Sequence, residues 1–229
     1  MAIVECQGVT KTYQQGKVAV TALQGVSLEV DAGGFVALAG PSGSGKTTLL
    51  NLIGGLDRPD IGRILINGND YAQQTDSQMA ELRLHHIGFV FQAYNLIPVL
   101  SAVENVEYVM QLQGVTAAER GKRARRILDD VGLASMYHRR PAELSGGQQQ
   151  RVAVARAIVS NPSIVLADEP TANLDSKTGE GLLELMHEMN VQREVTFIFS
   201  THDRMVMEYA RRVVLIKDGQ IEDDRIKAG

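Results

Sequence analysis

Apolar residues in the first third of the chain form short runs that are typical of β-strands. The runs are separated by glycine-containing turns, such as the segment Asp31-Ala32-Gly33-Gly34. Phe35–Ala39 is apolar throughout, as expected of a strand that is covered on both faces. We predict strands at residues 4–9, 23–30, 35–39, 63–66 and 87–91.

The middle of the chain changes to the spacing of an amphipathic helix. Residues 48–56 have a helical pattern, and from residue 103 to about residue 159 apolar positions such as Val103, Val106 and Met110 recur on one face. Strands return at residues 164–167, 195–199 and 213–216. The helix between the first two carries an apolar stripe that we assign to the core rather than to a binding surface: Leu182, Leu183, Leu185, Met186 and Met189.

Strands that alternate with helices predict an α/β fold with a mostly parallel sheet. We expect an antiparallel β portion at the N-terminus and a helical subdomain inserted into the core. Residues 1–229 would form a single domain, in which about 1–91 and 162–229 make the core with its β subdomain and about 92–161 make the helical subdomain.

The composition narrows the class of protein. Of the 229 residues, 44% are hydrophobic and 22% are charged, as in ordinary globular proteins, and the formal net charge is −4. This charge argues against a general nucleic-acid binder, because phosphate contacts need surplus Lys and Arg. No apolar run approaches the ~20 residues of a membrane helix, and the first residues do not resemble a signal peptide. We expect the single cysteine, Cys6, to be a small core residue.

A phosphate-loop pattern, G-x-x-x-x-G-K-[ST], occurs at Gly40-Pro41-Ser42-Gly43-Ser44-Gly45-Lys46-Thr47, between a predicted strand and a predicted helix. Glycines let backbone N–H groups surround phosphate oxygens, and a helix start adds a positive dipole end. Lys46 would bring a full charge to the β- and γ-phosphates, and Thr47 would offer a hydroxyl to Mg²⁺. The pattern does not separate a kinase, a GTPase or a motor, and a glycine-rich turn without a ligand is the alternative.

Two adjacent carboxylates, Asp168 and Glu169, follow the predicted strand at residues 164–167. Ligands of an open parallel sheet gather at the carboxyl ends of its strands. We therefore expect Asp168 to face the Mg²⁺ near Thr47, and Glu169 to orient or deprotonate the attacking water. Two surface acids without a ligand are the alternative, which the phosphate loop disfavours.

A second helix start suited to an anion lies at Leu144-Ser145-Gly146-Gly147-Gln148. Ser145 is a good N-cap, and the two glycines leave the first backbone N–H groups open. One triphosphate does not need two such helix starts from the same molecule. A capped helix without a ligand is the alternative reading of this segment taken by itself.

Residues 144–148 are similar to the LSGGQ signature of the ATP-binding-cassette family, and the resemblance covers essentially the whole chain. The family's other motifs follow in order. Tyr13 resembles the aromatic residue that stacks on adenine, and Gln92 resembles the Q-loop glutamine. Asn173-Leu174-Asp175 resembles the D-loop, and His202 resembles the switch histidine. Phe91-Gln92-Ala93-Tyr94-Asn95-Leu96-Ile97-Pro98 is similar in particular to the lipoprotein-releasing and macrolide-efflux group.

This resemblance implies a P-loop NTPase core and an ATP-hydrolysing subunit that binds ATP and Mg²⁺ and drives a separate membrane permease. Two copies would form a head-to-tail homodimer, in which each signature closes on the nucleotide held by the other copy. The implied nucleotide-binding residues are Tyr13, Gly40, Pro41, Ser42, Gly43, Ser44, Gly45, Lys46, Thr47 and Thr48. The residues implied to act across the dimer are Ser145, Gly146, Gly147, Gln148 and Asp175. Glu169, His202 and Gln92 would be catalytic, and Thr47, Gln92 and Asp168 would hold Mg²⁺.

The resemblance also implies a location. The protein would lie at the cytoplasmic face of the membrane, held there by its permease and without contact to nucleic acid. The permease would dock just after Gln92, and we expect Ala93, Tyr94 and Leu96 to be exposed for it.

Two other classes use some of the same features. A soluble cassette ATPase that acts on DNA or ribosomes usually has tandem cassettes, long coiled coils or basic insertions, and the sequence contains none of these. A small-molecule kinase could use the phosphate loop, but it would have no use for residues 144–148.

Overall fold

The structure, a computed structural model, describes residues 2–16 and 18–227. The strands of the described residues are β1 (Ala2–Gln15), β2 (Val18–Asp31), β3 (Phe35–Ala39), β4 (Ile61–Ile66), β5 (Asn69–Asp70), β6 (Ile87–Val90), β7 (Ile164–Asp168), β8 (Thr196–Thr201), β9 (Arg212–Lys217) and β10 (Gln220–Ile226). The α-helices are α1 (Lys46–Ile53), α2 (Asp76–His86), α3 (Ala102–Leu112), α4 (Ala117–Asp130), α5 (Gly146–Ile158), α6 (Ser176–Arg193) and α7 (Arg204–Tyr209). Among the described residues, no helix is both long and apolar enough to cross a bilayer.

The described residues divide into two compact units. Unit 1 contains the residues up to Arg83 and those from Thr196 onward, and unit 2 contains Leu84–Val195.

Unit 1 contains the antiparallel β portion that the sequence predicts at the N-terminus. Its strands lie in the order β2-β1-β4-β5, and every neighbouring pair is antiparallel. Because side chains alternate between the two faces of a strand, β2 buries Leu28 and Val30 and exposes Glu29 between them. Cys6 on β1 is buried, which confirms its assignment to the core.

A second group of strands in unit 1, in the order β10-β9-β3-β8, contains the parallel pairs. β3 is parallel to both β8 and β9, and β10 runs antiparallel along β9. All residues of β3 and β8 are buried, as expected of central parallel strands. Phe35 packs against Phe197 and Phe199, with ring centroids 5.6 Å and 4.6 Å away.

Unit 2 contains the predicted helical region. Its strands β6 and β7 are parallel. Helix α5 passes so close to β6 that a Cβ on Gly88 would lie 2.3 Å from the carbonyl oxygen of Ala157. The Leu and Met stripe of α6 is buried, which confirms that these residues belong to the core.

Four of these elements were not predicted from the sequence: the two-residue strand β5, the helices α2 and α7, and the strand β10. Helix α2 buries only Met79, so it has no apolar stripe to reveal its period. Strand β10 is a polar edge strand without a buried residue, and α7 has only six residues. Helix α1 also begins at Lys46 rather than at residue 48.

Candidate functional site

The phosphate-loop segment connects β3 to α1 in unit 1, in the context that the pattern requires. β3 ends at Ala39, and Gly45 is the N-cap of α1. Gly45 has a φ of 106°, and a Cβ there would lie 2.5 Å from the carbonyl oxygen of Ala22, so no other residue fits this turn. Since the first N–H groups of a helix have no partner within it, they are available to a ligand at the loop.

Two buried polar side chains give the loop a polar interior. Lys46 is only 6% exposed, and its Nζ donates to the carbonyl oxygens of Gly40 and Pro41 at 2.8 Å and 2.9 Å. The Oγ atom of Ser44 is buried and has no hydrogen-bond partner among the described residues. An unsatisfied buried polar atom costs about 1–3 kcal/mol, and a phosphate oxygen would satisfy this one. The interior of the loop therefore fits a polyphosphate.

The rim of the loop is accessible. Pro41, Ser42, Gly43 and Thr47 are exposed, whereas Gly45 and Thr48 are half-buried. Thr47 lies in the first turn of α1 and is exposed as a residue. It can offer an oxygen ligand to a cation that accompanies a phosphate.

His202 lies at the same edge of the strands as the phosphate loop. Ala39 of β3 pairs with Thr201 of β8 in parallel register. Gly40 and His202, the residues that follow this pair, therefore lie side by side beyond the ends of the two strands. His202 is exposed. Asp203 has a different role, because its carboxylate accepts a hydrogen bond from the N–H group of Met205 and caps α7.

Tyr13 is half-buried on β1, and Val20, its partner on β2, is 41% exposed. The phenol oxygen donates to Asp57 Oδ2 at 2.8 Å, and Lys11 Nζ lies over the ring, 5.2 Å from its centroid. Burial and the hydrogen bond to Asp57 raise the pKa of the phenol. The sequence singles out Tyr13 but not Asp57, since the contact joins residues 44 positions apart.

In unit 2, the predicted acids and the predicted glutamine lie at one end of the β6–β7 pair. Val90 of β6 pairs with Ala167 of β7 in parallel register. Gln92 and Glu169 each follow their paired residue by two positions, so both lie beyond the carboxyl ends of these strands. Asp168 and Glu169 are half-buried, and Gln92 is exposed.

The backbone is strained at Glu169, and the segment that follows it is hydrogen-bonded to Gln92. Glu169 has a φ of 45°, in the left-handed region that costs a residue other than glycine roughly 1–3 kcal/mol and that is enriched at functional sites. Asn173 Nδ2 donates to the carbonyl oxygen of Gln92 at 2.9 Å. The segment after the acids thus fixes the position of the segment after β6.

The signature segment begins α5 with a capping box. Ser145 Oγ accepts a hydrogen bond from the N–H group of Gln148 at 3.3 Å, and Gln148 Oε1 accepts one from the N–H group of Ser145 at 2.9 Å. The side chain of Gln148 therefore closes the helix start. Ser145 is exposed, and the N–H groups of the first helical residues have no partner within the helix.

Neighbouring side chains of unit 2 also lie close to both signature glycines. A Cβ on Gly146 would lie 2.9 Å from the phenol oxygen of Tyr94, and one on Gly147 would lie 2.4 Å from Thr178 Cγ2. Local packing thus gives a structural reason for a residue without a side chain, most strongly at Gly147.

Asp175 has a structural role within the chain. It is the N-cap of α6, and its carboxylate accepts hydrogen bonds from Thr178 Oγ1 at 2.6 Å and from the N–H group of Thr178 at 3.1 Å. These two hydrogen bonds lower the pKa of the carboxyl, so Asp175 is an exposed anion at neutral pH.

The expected exposure after Gln92 is only partly correct. Ala93 is exposed, but Tyr94 and Leu96 are half-buried. Arg156 holds the backbone of Tyr94 against α5, because its guanidinium donates to the Tyr94 carbonyl oxygen at 3.0 Å. This contact contributes to the partial burial of Tyr94. Val99, which the sequence does not single out, is an apolar side chain that is 71% exposed.

Comparisons with known proteins agree on the family of the chain. The family described as ABC transporter matches residues 23–172, which include the phosphate loop, Gln92, the signature segment and both acids. The chain is 48% identical to the macrolide export ATP-binding/permease protein MacB of Syntrophobacter fumaroxidans, over 98% of the chain but only 32% of that protein. It therefore spans about a third of the length of this relative. It is also 44% identical to the lipoprotein-releasing system ATP-binding protein LolD of Chromohalobacter salexigens, over 97% of the chain and 94% of that protein.

The fold has a close counterpart among solved structures. The dimeric structure of a post-hydrolysis state of the ATP-binding cassette MJ0796, bound to ADP and Pi, superposes with a TM-score of 0.92. The two sequences are 43% identical, and the match covers 99% of each chain. This likeness confirms the predicted α/β cassette fold with an antiparallel N-terminal sheet and helical insertions.

Proposed function

The chain belongs to the ABC transporter family and is one of its ATP-hydrolysing subunits; from this premise we propose that two copies clasp ATP between them and drive a membrane permease. The copies would associate head to tail, so that each nucleotide lies between the phosphate loop of one copy and the signature of the other.

One observation carries this proposal: among the described residues, each unit contains a helix start suited to phosphate. Lys46 and Gly45 begin α1 in unit 1, and Ser145 caps α5 in unit 2. Both have N–H groups in the first turn that have no partner within the helix, and both have a positive dipole end. The γ-phosphate of ATP would meet the loop of its own copy and the signature of the partner. The solved relative with ADP and Pi is a dimer, which supports this arrangement.

Hydrolysis would weaken the dimer by removing the group that both copies hold. The partner's helix start would stabilise the charge that develops on the γ-phosphate, without an arginine finger. Once the phosphate has left, the partner's signature loses the anion that favoured association. Asp175 would act near the other copy's phosphate loop.

The proposed roles of the remaining residues follow from their chemistry. Glu169 would act as the general base, His202 would contact the γ-phosphate, and Tyr13 would stack on the base. Mg²⁺, when bound, neutralises charge on the β- and γ-phosphates. Thr47, Gln92 and Asp168 would hold it through their oxygens. The described residues contain no group of three or more His, Cys, Asp or Glu arranged for a metal ion. A threonine hydroxyl, an amide oxygen and a carboxylate form a set of oxygen donors that fits Mg²⁺, which also keeps water and phosphate ligands.

We also propose that residues 1–229 form a single nucleotide-binding domain with a helical subdomain at about 92–161. The permease would be a separate chain, as the name and length of the LolD relative suggest, although the name of the MacB relative joins both functions. The ATPase would then lie at the cytoplasmic face of the membrane. The two relatives favour lipoprotein release or efflux over a cassette ATPase without a permease.

A complementation assay tests whether the site is shared. Lys46→Ala removes a phosphate contact from the phosphate loop, and Ser145→Arg blocks the signature. Each variant by itself should hydrolyse ATP slowly. An equimolar mixture should recover about a quarter of the wild-type rate, because half of the dimers are mixed and each mixed dimer has one intact site. A mixture no faster than its two components would contradict the shared site.

A further inference from the structure

Three side chains of unit 1, Lys11, Tyr13 and Asp57, form a cluster on strand β1 and the loop that follows helix α1. Lys11 and Tyr13 are two residues apart on β1 and therefore share a face of the strand. Asp57 lies in the loop after α1. All three take part in one hydrogen-bonded group, and the sequence motifs account only for Tyr13.

Asp57 is the centre of this cluster. Its Oδ1 accepts hydrogen bonds from Lys11 Nζ at 2.9 Å and from the N–H group of Arg58 at 2.7 Å, and its Oδ2 accepts one from the Tyr13 phenol at 2.8 Å. Burial opposes ionisation of Asp57, but these hydrogen bonds outweigh it and lower the pKa of the carboxyl. The acceptor of the phenol is thus a fixed anion.

The cluster fixes the orientation of the Tyr13 ring. A tyrosine attached only through its Cβ can turn about χ1 and χ2, and a ligand that stacks on it must stop that rotation. With the phenol held at its far end, the ring has less freedom to lose, and preorganisation of this kind favours binding. Lys11 lies over the ring, so a base would stack on the opposite face.

The cluster also connects the Tyr13 ring to helix α1, which begins in the phosphate loop. Asp57 follows α1 by four residues, and this loop is held by a hydrogen bond from the N–H group of Leu56 to the carbonyl oxygen of Asn51 at 2.9 Å. The same helix begins at Lys46 in the phosphate loop. Helix α1 therefore sets the distance between the Tyr13 ring and the phosphate loop.

We propose that Asp57 is a positioning residue for the nucleotide base: it holds Tyr13 in the orientation that stacks on adenine, at a fixed distance from the phosphate loop. This inference rests on the proposed stacking role of Tyr13. A structural cluster without a role in binding would have the same contacts, and the two cases differ in what loss of the carboxylate does to ligands with and without a base.

The test compares ATP with inorganic tripolyphosphate, which has the phosphates but no base, by isothermal titration calorimetry with Mg²⁺. Asp57→Ala should raise the Kd for ATP about threefold to tenfold and leave the Kd for tripolyphosphate unchanged, because only part of a stacking interaction is lost. Tyr13→Phe, which keeps the ring and removes the anchor, should weaken ATP binding to a similar extent. In the Tyr13→Phe background, Asp57→Ala should change the Kd for ATP less than about twofold, since the two residues act as one unit.

Asp60→Asn is the matched control. Asp60 Oδ1 also lies near Lys11 Nζ, at 3.6 Å, and its other oxygen accepts from the N–H group of Thr12, but Asp60 is not hydrogen-bonded to Tyr13. It should bind both ligands like the wild type. If Asp57→Ala does not fold, Asp57→Asn and Tyr13→Phe still test the inference.

Three results would overturn the proposal. These are unchanged ATP affinity in Asp57→Ala, an equal loss of affinity for tripolyphosphate, or an undiminished effect of Asp57→Ala in the Tyr13→Phe background. Tyr13→Ala separates the premise from the inference. Unchanged ATP affinity in that variant would overturn the stacking role itself, whereas weaker binding there with normal binding in Asp57→Ala would overturn only the role of Asp57.

Discussion

Lys46 combines a full charge with nearly complete burial, a combination that is rare unless the ammonium is well hydrogen-bonded. Two loop carbonyls accept its hydrogen bonds in the structure. Both acceptors are neutral, so a phosphate oxygen would be a stronger partner. The position of Lys46 is therefore suited to an anion that enters the loop.

Replacement of Lys46 by alanine should weaken ATP binding itself. Loss of a charge-assisted contact of about 1.4 kcal/mol or more corresponds to at least a tenfold increase in Kd. Titration calorimetry measures this change, and Lys122→Ala, an exposed lysine on α4, is the control. Unchanged ATP affinity in Lys46→Ala would contradict the role of the loop.

Cys6 leads to a prediction that is independent of nucleotide binding. Burial raises the pKa of its thiol to about 12, so almost no reactive thiolate exists at neutral pH. In the native protein, Cys6 should stay unmodified by a thiol reagent such as DTNB at pH 8, and it should react fully in denaturant. Rapid labelling of the folded protein would show that β1 opens or that the core assignment is wrong.

At the scale of elements, α3 and α5 provide a natural comparison, because both begin with the same capping box. Ser101 and Glu104 cap α3 as Ser145 and Gln148 cap α5. Ser101 is buried, whereas Ser145 is exposed at a helix start suited to phosphate. Loss of either cap should cost stability, but only the second should affect the dimer.

Ser101→Ala and Ser145→Ala should each lower stability by about 1 kcal/mol, the usual contribution of an N-cap. The melting temperature should fall by about 2–4 °C in both variants. Only Ser145→Ala should also reduce ATP hydrolysis and ATP-dependent association. Calorimetry and a phosphate-release assay separate the two effects, and equal loss of activity in both variants would reduce the role of Ser145 to helix capping.

The elements that sequence reasoning found are those with a strong period or a required motif context. Strand β3 was predictable to the residue because it is apolar throughout. Helix α2 was missed because it has one buried residue, and β10 because its edge position leaves polar side chains. Within the site, the phosphate loop and the acid pair could be found from their patterns, whereas Tyr13, Gln92, Asp175 and His202 were found through the family resemblance. The contact between Tyr13 and Asp57 could not, because it depends on the pairing of distant segments.

At the scale of the whole molecule, hydrolysis should require a divalent cation. Chelation of Mg²⁺ with EDTA should abolish phosphate release, and excess Mg²⁺ should restore it. Without the cation, the negative charge of the triphosphate is not compensated. Undiminished hydrolysis in EDTA would contradict the roles of Thr47 and Asp168.

The central claim is that ATP joins two copies of the chain, and the Glu169→Gln variant tests it most directly. Loss of a general base slows hydrolysis by roughly 10²–10⁴-fold, so ATP should stay bound and the dimer should accumulate. Light scattering during size-exclusion chromatography should then give twice the 24.9 kDa of one chain with ATP and Mg²⁺, and a single chain with ADP. A monomer in the presence of bound, unhydrolysed ATP would contradict the account.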